Sequence, residues 1–130
     1  MTDLDLSTLE SLAKGVRAHA HAPYSQFRVG AAVRAASGKA YVGCNVENAS
    51  FGATVCAERN AIGAAIAAGE REIVAVAVYT EAETPALPCG ICRQVIQEFG
   101  PLAVVVSTTP SERKQTTLAE LLPEAFVFRR

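Results

Sequence analysis

The sequence predicts an α/β fold, a three-layer α-β-α sandwich around a mixed sheet of about five strands. Three observations lead there. Two continuous β-branched runs, "IVAVAVY" at 73–79 and "LAVVVS" at 102–107, read as strands covered on both faces, since a half-exposed strand alternates with polar residues. A helical segment separates them, so they form a parallel pair joined by a right-handed crossover. Ahead of them, two segments flank a Ser37-Gly38 turn, an antiparallel hairpin that makes the sheet mixed.

Taken in order, residues 4–20 put Leu6, Leu9, Leu12, Ala13, Val16 and Ala20 on a helical stripe, with Ser7 or Thr8 near its start. "APYS" breaks it at Pro23. "FRVGAAVRA" (27–35) and "KAYVGCNVE" (39–47) are the arms of the hairpin. "CAERNAIGAAIAA" (56–68) is an Ala-rich helix closed by Gly69, a residue suited to the left-handed cap. A second helix runs from Gly90 to Phe99 and closes at Gly100, and "TTLAELLPEAF" adds a short C-terminal one. No repeat, low-complexity tract or linker interrupts the pattern, so one domain over residues 1–130 is expected.

Half of the 130 residues are apolar and 19% are charged, a composition that forms a core rather than a disordered chain. The net charge of −1, with Lys and Arg scattered, gives no field for a polyanion, so no nucleic acid polymer is expected as partner. "MTDLDLSTLE" has acids where a leader needs a basic region, and no apolar run reaches membrane length. A cytoplasmic protein without a membrane partner is expected. There, four cysteines at unequal spacing point to metal or catalysis rather than disulfides.

Cys56 and Cys89 open successive helices, and Cys92 lies one turn after Cys89. Helix starts that follow parallel strands gather at one sheet edge, so the three thiols can converge across the sequence. Three thiolates suit Zn²⁺ and leave its fourth position open to water, the arrangement of a catalytic site. They also leave a net charge of −1, which weakens the metal as an acid. Two helix N-termini and Arg59, one turn after Cys56, offset that charge. Glu58, two residues after Cys56, then stands where a carboxylate can carry protons between water and substrate.

Other readings exist for the same residues. C-G-I-C alone also suits a thiol–disulfide oxidoreductase, but that leaves Cys56-Ala-Glu58 without a purpose, and the chain has no tryptophan. A zinc-stapled binding module requires a fourth protein ligand, for which Cys44 or a histidine is available. Cys44 reads as a packed free thiol, and His19 and His21 as solvated. Asn45 and Glu47 share one face of an extended strand and offer both donors and acceptors, suited to a sugar hydroxyl or to a loop backbone.

"C-A-E" at 56–58 and "P-C-G-I-C" at 88–92 match the all-cysteine form of the zinc deaminase signature. With "APYSQFRVGAAV", "GCNVENASFG", "CAERNA", "PCGICRQV" and "ELLPEAF", which span residues 22–126, the chain resembles the small cytidine deaminases of pyrimidine salvage. The resemblance implies the cytidine deaminase-like fold and hydrolytic deamination of cytidine and 2′-deoxycytidine to the uridines and ammonia. It implies one Zn²⁺ per chain on Cys56, Cys89 and Cys92, with Glu58 as the catalytic proton carrier and Arg59 beside the thiolates. Asn45 and Glu47 would hold the ribose, Phe27 would line the pyrimidine pocket, and the Ala57 amide and a carbonyl near Leu87 would meet the base. Phe126 would cross into a neighbour's site in a homotetramer with shared active sites. Tyr24 and Gln94 are expected to support the site. The alternative within the family is a modified cytosine nucleoside such as blasticidin S, against which Asn45 and Glu47 argue.

Overall fold

Small and β-branched residues in the middle of the chain build the sheet. In a computed structural model that describes residues 3–128, with side chains from Asp5 onward, five strands form a single sheet. They are β1 (Gly30–Ala35), β2 (Ala40–Cys44), β3 (Ile73–Tyr79), β4 (Val104–Thr108) and β5 (Arg113–Thr117), in the order β2-β1-β3-β4-β5. Only β3 and β4 run parallel; β1 is antiparallel to both its neighbours, and β5 to β4. β3 and β4 are buried through their centres, as their unbroken apolar runs require.

Helix α1 (Asp3–Val16) lays Leu6, Leu9 and Ala13 on one face of the sheet, against Ala32, Ala75, Ala77 and Val106. The opposite face takes α2 (Ala57–Ala67) through Ala57, Ala61, Ile62 and Ala65, and α3 (Gly90–Phe99) through Ile96. The architecture is thus the expected α-β-α sandwich. Alanines on both surfaces allow α2 to sit close. At Gly43 of β2 an added Cβ would lie 2.3 Å from the Ala61 nitrogen and 2.7 Å from the Ala57 carbonyl oxygen, so only glycine admits the helix there.

Several boundaries differ from the sequence reading. α1 starts at Asp3, which places Ser7 and Thr8 inside the helix instead of at its cap, and it ends in a 3₁₀ turn at Arg17–His19. Leu102 precedes β4 in a turn and is 89% exposed. The "TTLAELLPEAF" segment is helical only at α4 (Leu118–Leu121), because Thr116 and Thr117 belong to β5; the Thr117 hydroxyl caps α4 by accepting from the Glu120 amide, 3.3 Å. The hairpin ladder is shorter than its sequence arms. Phe27, Asn45 and Glu47 therefore lie beyond the strands, in segments free to face a cavity.

Candidate active site

Cys56 and Cys89 occupy the N-cap positions of α2 and α3, with extended backbone. Their carbonyls accept the first helical bonds, from the Asn60 amide (3.1 Å) and the Arg93 amide (2.9 Å). Each sulfur thus sits at the positive end of a helix dipole, which favours the thiolate. Cys92 lies buried in the first turn of α3. The three Sγ atoms all lie within 4.8 Å of one another, Cys56 and Cys89 at 3.9 Å, and none is in a disulfide. Tetrahedral bonds of about 2.3 Å from zinc to sulfur separate the sulfurs by roughly 3.8 Å. The donor set and its spacing fit one zinc ion, and this is the one such cluster among the described residues.

Arg59 aims its Nη2 at this cluster, 3.7 Å from Cys56 Sγ and 3.4 Å from the Thr54 carbonyl oxygen. In the free thiol cluster Cys56 takes the negative charge. A hydrogen bond from Cys92, with Arg59 and Cys89 assisting against burial, holds its thiol down to about 5. Cys92 is pushed up by that same hydrogen bond and by burial. Glu58 is 5% exposed, and burial raises its carboxyl to about 7, with the Cys56 charge adding and Arg59 opposing. A cation on the sulfurs lowers it again.

A cavity of about 260 Å³ opens above these groups. Cys56, Ala57, Glu58 and Cys89 form one side of it; Phe27, Asn45 and Glu47 form the other. The structure therefore brings together every residue expected at the site except Cys92, Arg59 and Phe126, and the first two stand directly behind it. Val78, Ala86 and Leu87, from the end of β3 and the loop before α3, complete the wall at the carboxyl edge of the parallel strands. A larger hollow of about 540 Å³ beside Arg17, His21 and Arg28 contains none of the thiols. Chemistry, not volume, assigns the site.

Asn45 is 7% exposed and anchored to the chain segment opposite: its Oδ1 accepts from the Val29 amide (2.9 Å) and its Nδ2 donates to the Phe27 carbonyl (2.8 Å). Glu47 accepts from the amides of Tyr24 (3.0 Å) and Ser25 (3.1 Å) and from the Ser25 hydroxyl. The Ser25 hydroxyl, first among these, holds the Glu47 carboxyl below the usual carboxylate range. Tyr24 reaches Glu47 through its amide alone, while its ring meets Phe51 edge-on at 5.9 Å. Gln94 donates to the Phe126 carbonyl at 3.1 Å. Phe126 itself is 69% exposed and outside the cavity of its own chain.

Cys44 is half-buried outside the cluster, with its carbonyl accepting from Asn60 Nδ2 (2.8 Å), and His19 and His21 are exposed. Sequence reasoning did not single out Ser25 or Thr54, both in the cavity wall. No periodicity marks them, because they lie in loops; the turn-forming Pro23 two residues before Ser25 is the only local signal.

The family model for the cytidine and deoxycytidylate deaminase zinc-binding region matches residues 5–108, which contain the whole thiol cluster. A cytidine deaminase from Sporosarcina psychrophila is 44% identical over 125 residues, covering 95% of this chain and 92% of that protein. The crystal structure of a cytidine deaminase from Burkholderia pseudomallei superposes with a TM-score of 0.89 at 47% identity, over 97% of this chain and all of the other. That of a Mycobacterium tuberculosis cytidine deaminase gives 0.83 at 37% identity, over 97% and 100%. Fold, thiol spacing and sequence agree along nearly the full length, and the chain belongs to the cytidine and deoxycytidylate deaminase family.

Proposed function

We propose that the chain catalyses zinc-dependent hydrolytic deamination of cytidine and 2′-deoxycytidine, a pyrimidine salvage reaction that releases ammonia and the corresponding uridine. The observation that carries this reading is the convergence of three thiols and one buried carboxylate, Glu58, on a single cavity. The cytidine deaminases it resembles support the choice of substrate.

Cys56, Cys89 and Cys92 would hold one zinc ion per chain. Bound there, the metal supplies a Lewis acid that makes water a nucleophile near neutral pH. Arg59 and the two helix N-termini offset the thiolate charge. Glu58 accepts the proton of the attacking water, delivers it to N3 of the base, and passes a second proton to the departing amino nitrogen. The oxygen added at C4 becomes the uridine carbonyl, so the reaction balances as cytidine plus water to uridine plus ammonia. Asn45 and Glu47 hold the sugar, Phe27 packs on the pyrimidine, and the Ala57 amide donates to the base carbonyl.

The reading extends to a cytoplasmic homotetramer of single-domain chains, residues 1–130, in which Phe126 closes a neighbour's site. What supports it is the exposed apolar run Phe126, Val127 and Phe128, which calls for a cover. The described cysteines are all unpaired, in keeping with a reducing compartment. No described helix is long and apolar enough to cross a membrane.

The test is a spectrophotometric assay of zinc-loaded protein with cytidine. Loss of the cytidine band with equimolar ammonia is expected. Intact cytidine after prolonged incubation with metal-replete, folded protein would reject the assignment.

A further inference from the structure

Cys89 caps α3 through its backbone alone, since its sulfur makes no capping hydrogen bond to that helix. Helix α3 therefore does not aim the sulfur at the metal. The chain ahead of it, residues 85–88, has no regular structure. Two side chains grip that segment through its carbonyls. Ser107, fully buried in β4, donates its hydroxyl to the Ala86 carbonyl at 2.7 Å. Arg93, half-buried near the start of α3, donates Nε to the Pro88 carbonyl at 2.7 Å.

The Pro88 carbonyl belongs to the peptide that ends on the Cys89 nitrogen. The ring of Pro88 sets its φ, and the Arg93 bond holds its ψ. The plane from which Cys89 departs is thus fixed by both. Arg93 is braced in turn, because its Nη1 donates to the Leu121 carbonyl at 2.9 Å. Leu121 ends α4, where a carbonyl has no partner within its own helix. A cation near the N-terminus of α3 opposes that helix's dipole, so the dipole does not explain its presence. The planar fork does, since it takes carbonyls from two separate segments at once.

We propose that Arg93 is a positioning residue for the Cys89 ligand: braced on the end of α4, it locks the Pro88–Cys89 peptide and shapes the zinc loop before the metal arrives. The proposal rests on the reading of Cys89 as a zinc ligand. Arg93 acts through backbone carbonyls, unlike Arg59, whose guanidinium approaches the Cys56 sulfur itself. It also ties zinc retention to the C-terminal segment, because one guanidinium holds both carbonyls.

The experiment titrates zinc-loaded protein with a chromophoric chelator, without nucleoside, for the parent, Arg93→Met and Arg93→Lys. Circular dichroism of each metal-free chain restricts the comparison to folded protein. Arg93→Met is expected to weaken zinc binding about 10- to 100-fold, the effect of removing a group that orients a metal ligand. Arg93→Lys keeps the charge but lacks the fork, and should still lose about tenfold. Affinity within about twofold of the parent in Arg93→Met overturns the proposal. So does parental affinity in Arg93→Lys, which would leave charge as the whole effect. If Arg93→Met does not fold, Arg93→Lys decides alone. Cys89→Ala, measured alongside, separates the two layers. If it too keeps parental affinity, the ligand reading falls; if it alone loses zinc, only the role of Arg93 falls.

Discussion

The Sγ atoms of Cys56 and Cys89 lie 3.9 Å apart although 33 residues separate them, because each caps a helix that starts at the same edge of the sheet. A metal shared by these caps joins α2 to α3, which otherwise touch little beyond this region. Cys89→Ala is therefore expected to lose zinc and a large part of the stability of the fold, since a thiolate zinc site contributes on the order of 10 kcal/mol. Metal content after gel filtration, with the thermal midpoint, checks this. Zinc retained at one per chain would show that Cys89 is not a ligand.

Glu58 is buried and lines the cavity beside the thiols, where its carboxylate can carry protons. Glu58→Gln keeps size and polarity but removes the proton acceptor. Turnover should fall by about 10² to 10⁴ while the chain still binds one zinc. If zinc and turnover fell together, the carboxylate would belong to the support of the metal instead.

The same residue sets a pH dependence in the metal-stripped chain. Its carboxyl is raised from 4.5 to about 7, chiefly by burial. Between those values the folded chain holds a proton that the unfolded chain has released, so stability falls as pH rises through that window. The full cost above pH 7 is roughly 3 kcal/mol. Metal-stripped Glu58→Gln should thus gain stability over the metal-stripped parent at pH 8 and lose that advantage at pH 4. Urea denaturation at the two pH values measures it; a pH-independent difference would contradict the buried-carboxylate account.

Much of this arrangement is legible in the residue order. The β-branched runs of β3 and β4 and the glycine closing α2 mark their elements because burial and backbone conformation restrict which residues can stand there. Cys56, Glu58, Cys89 and Cys92 are legible because spacing along helix starts maps directly onto position. β5 is not, since "RKQTT" carries no apolar alternation; it is an edge strand held by its pairing with β4, and charges there discourage further pairing. The Ser25–Glu47 contact is equally hidden. It depends on a left-handed Gln26, a conformation that no local preference of glutamine announces.

Two glycines near α2 separate close approach from mere flexibility. At Gly43 the atoms that a Cβ would meet are backbone of α2, which cannot rotate away. Gly43→Ala must therefore push the helix, and Glu58 with it, off the sheet. A loss of at least about 2 kcal/mol is expected, with turnover reduced as well. Gly63, inside α2, has nothing within 4 Å of the same added atom. Gly63→Ala should stabilise by about 0.5–1 kcal/mol through helix propensity. Denaturant titrations of the pair test the packing claim, and equal effects would refute it.

Phe126 is exposed in its own chain, and the Gln94 side chain fixes the backbone at that point through the Phe126 carbonyl. If the ring serves a neighbouring site, Phe126→Ala should raise KM by about 5- to 150-fold, the range of one aromatic stack worth about 1–3 kcal/mol. KM alone does not say whose site the ring completes. Mixing does. In a hybrid assembly, a chain with Phe126→Ala keeps its own Glu58, and a neighbour with Glu58→Gln keeps its Phe126. Sites at that junction hold both groups, so dissociating and reassociating the two variants together should yield more activity at low cytidine than the sum of the separate samples. Activity that merely adds would mean that each phenylalanine acts within its own chain or not at all, and the shared-site assembly would have to be abandoned.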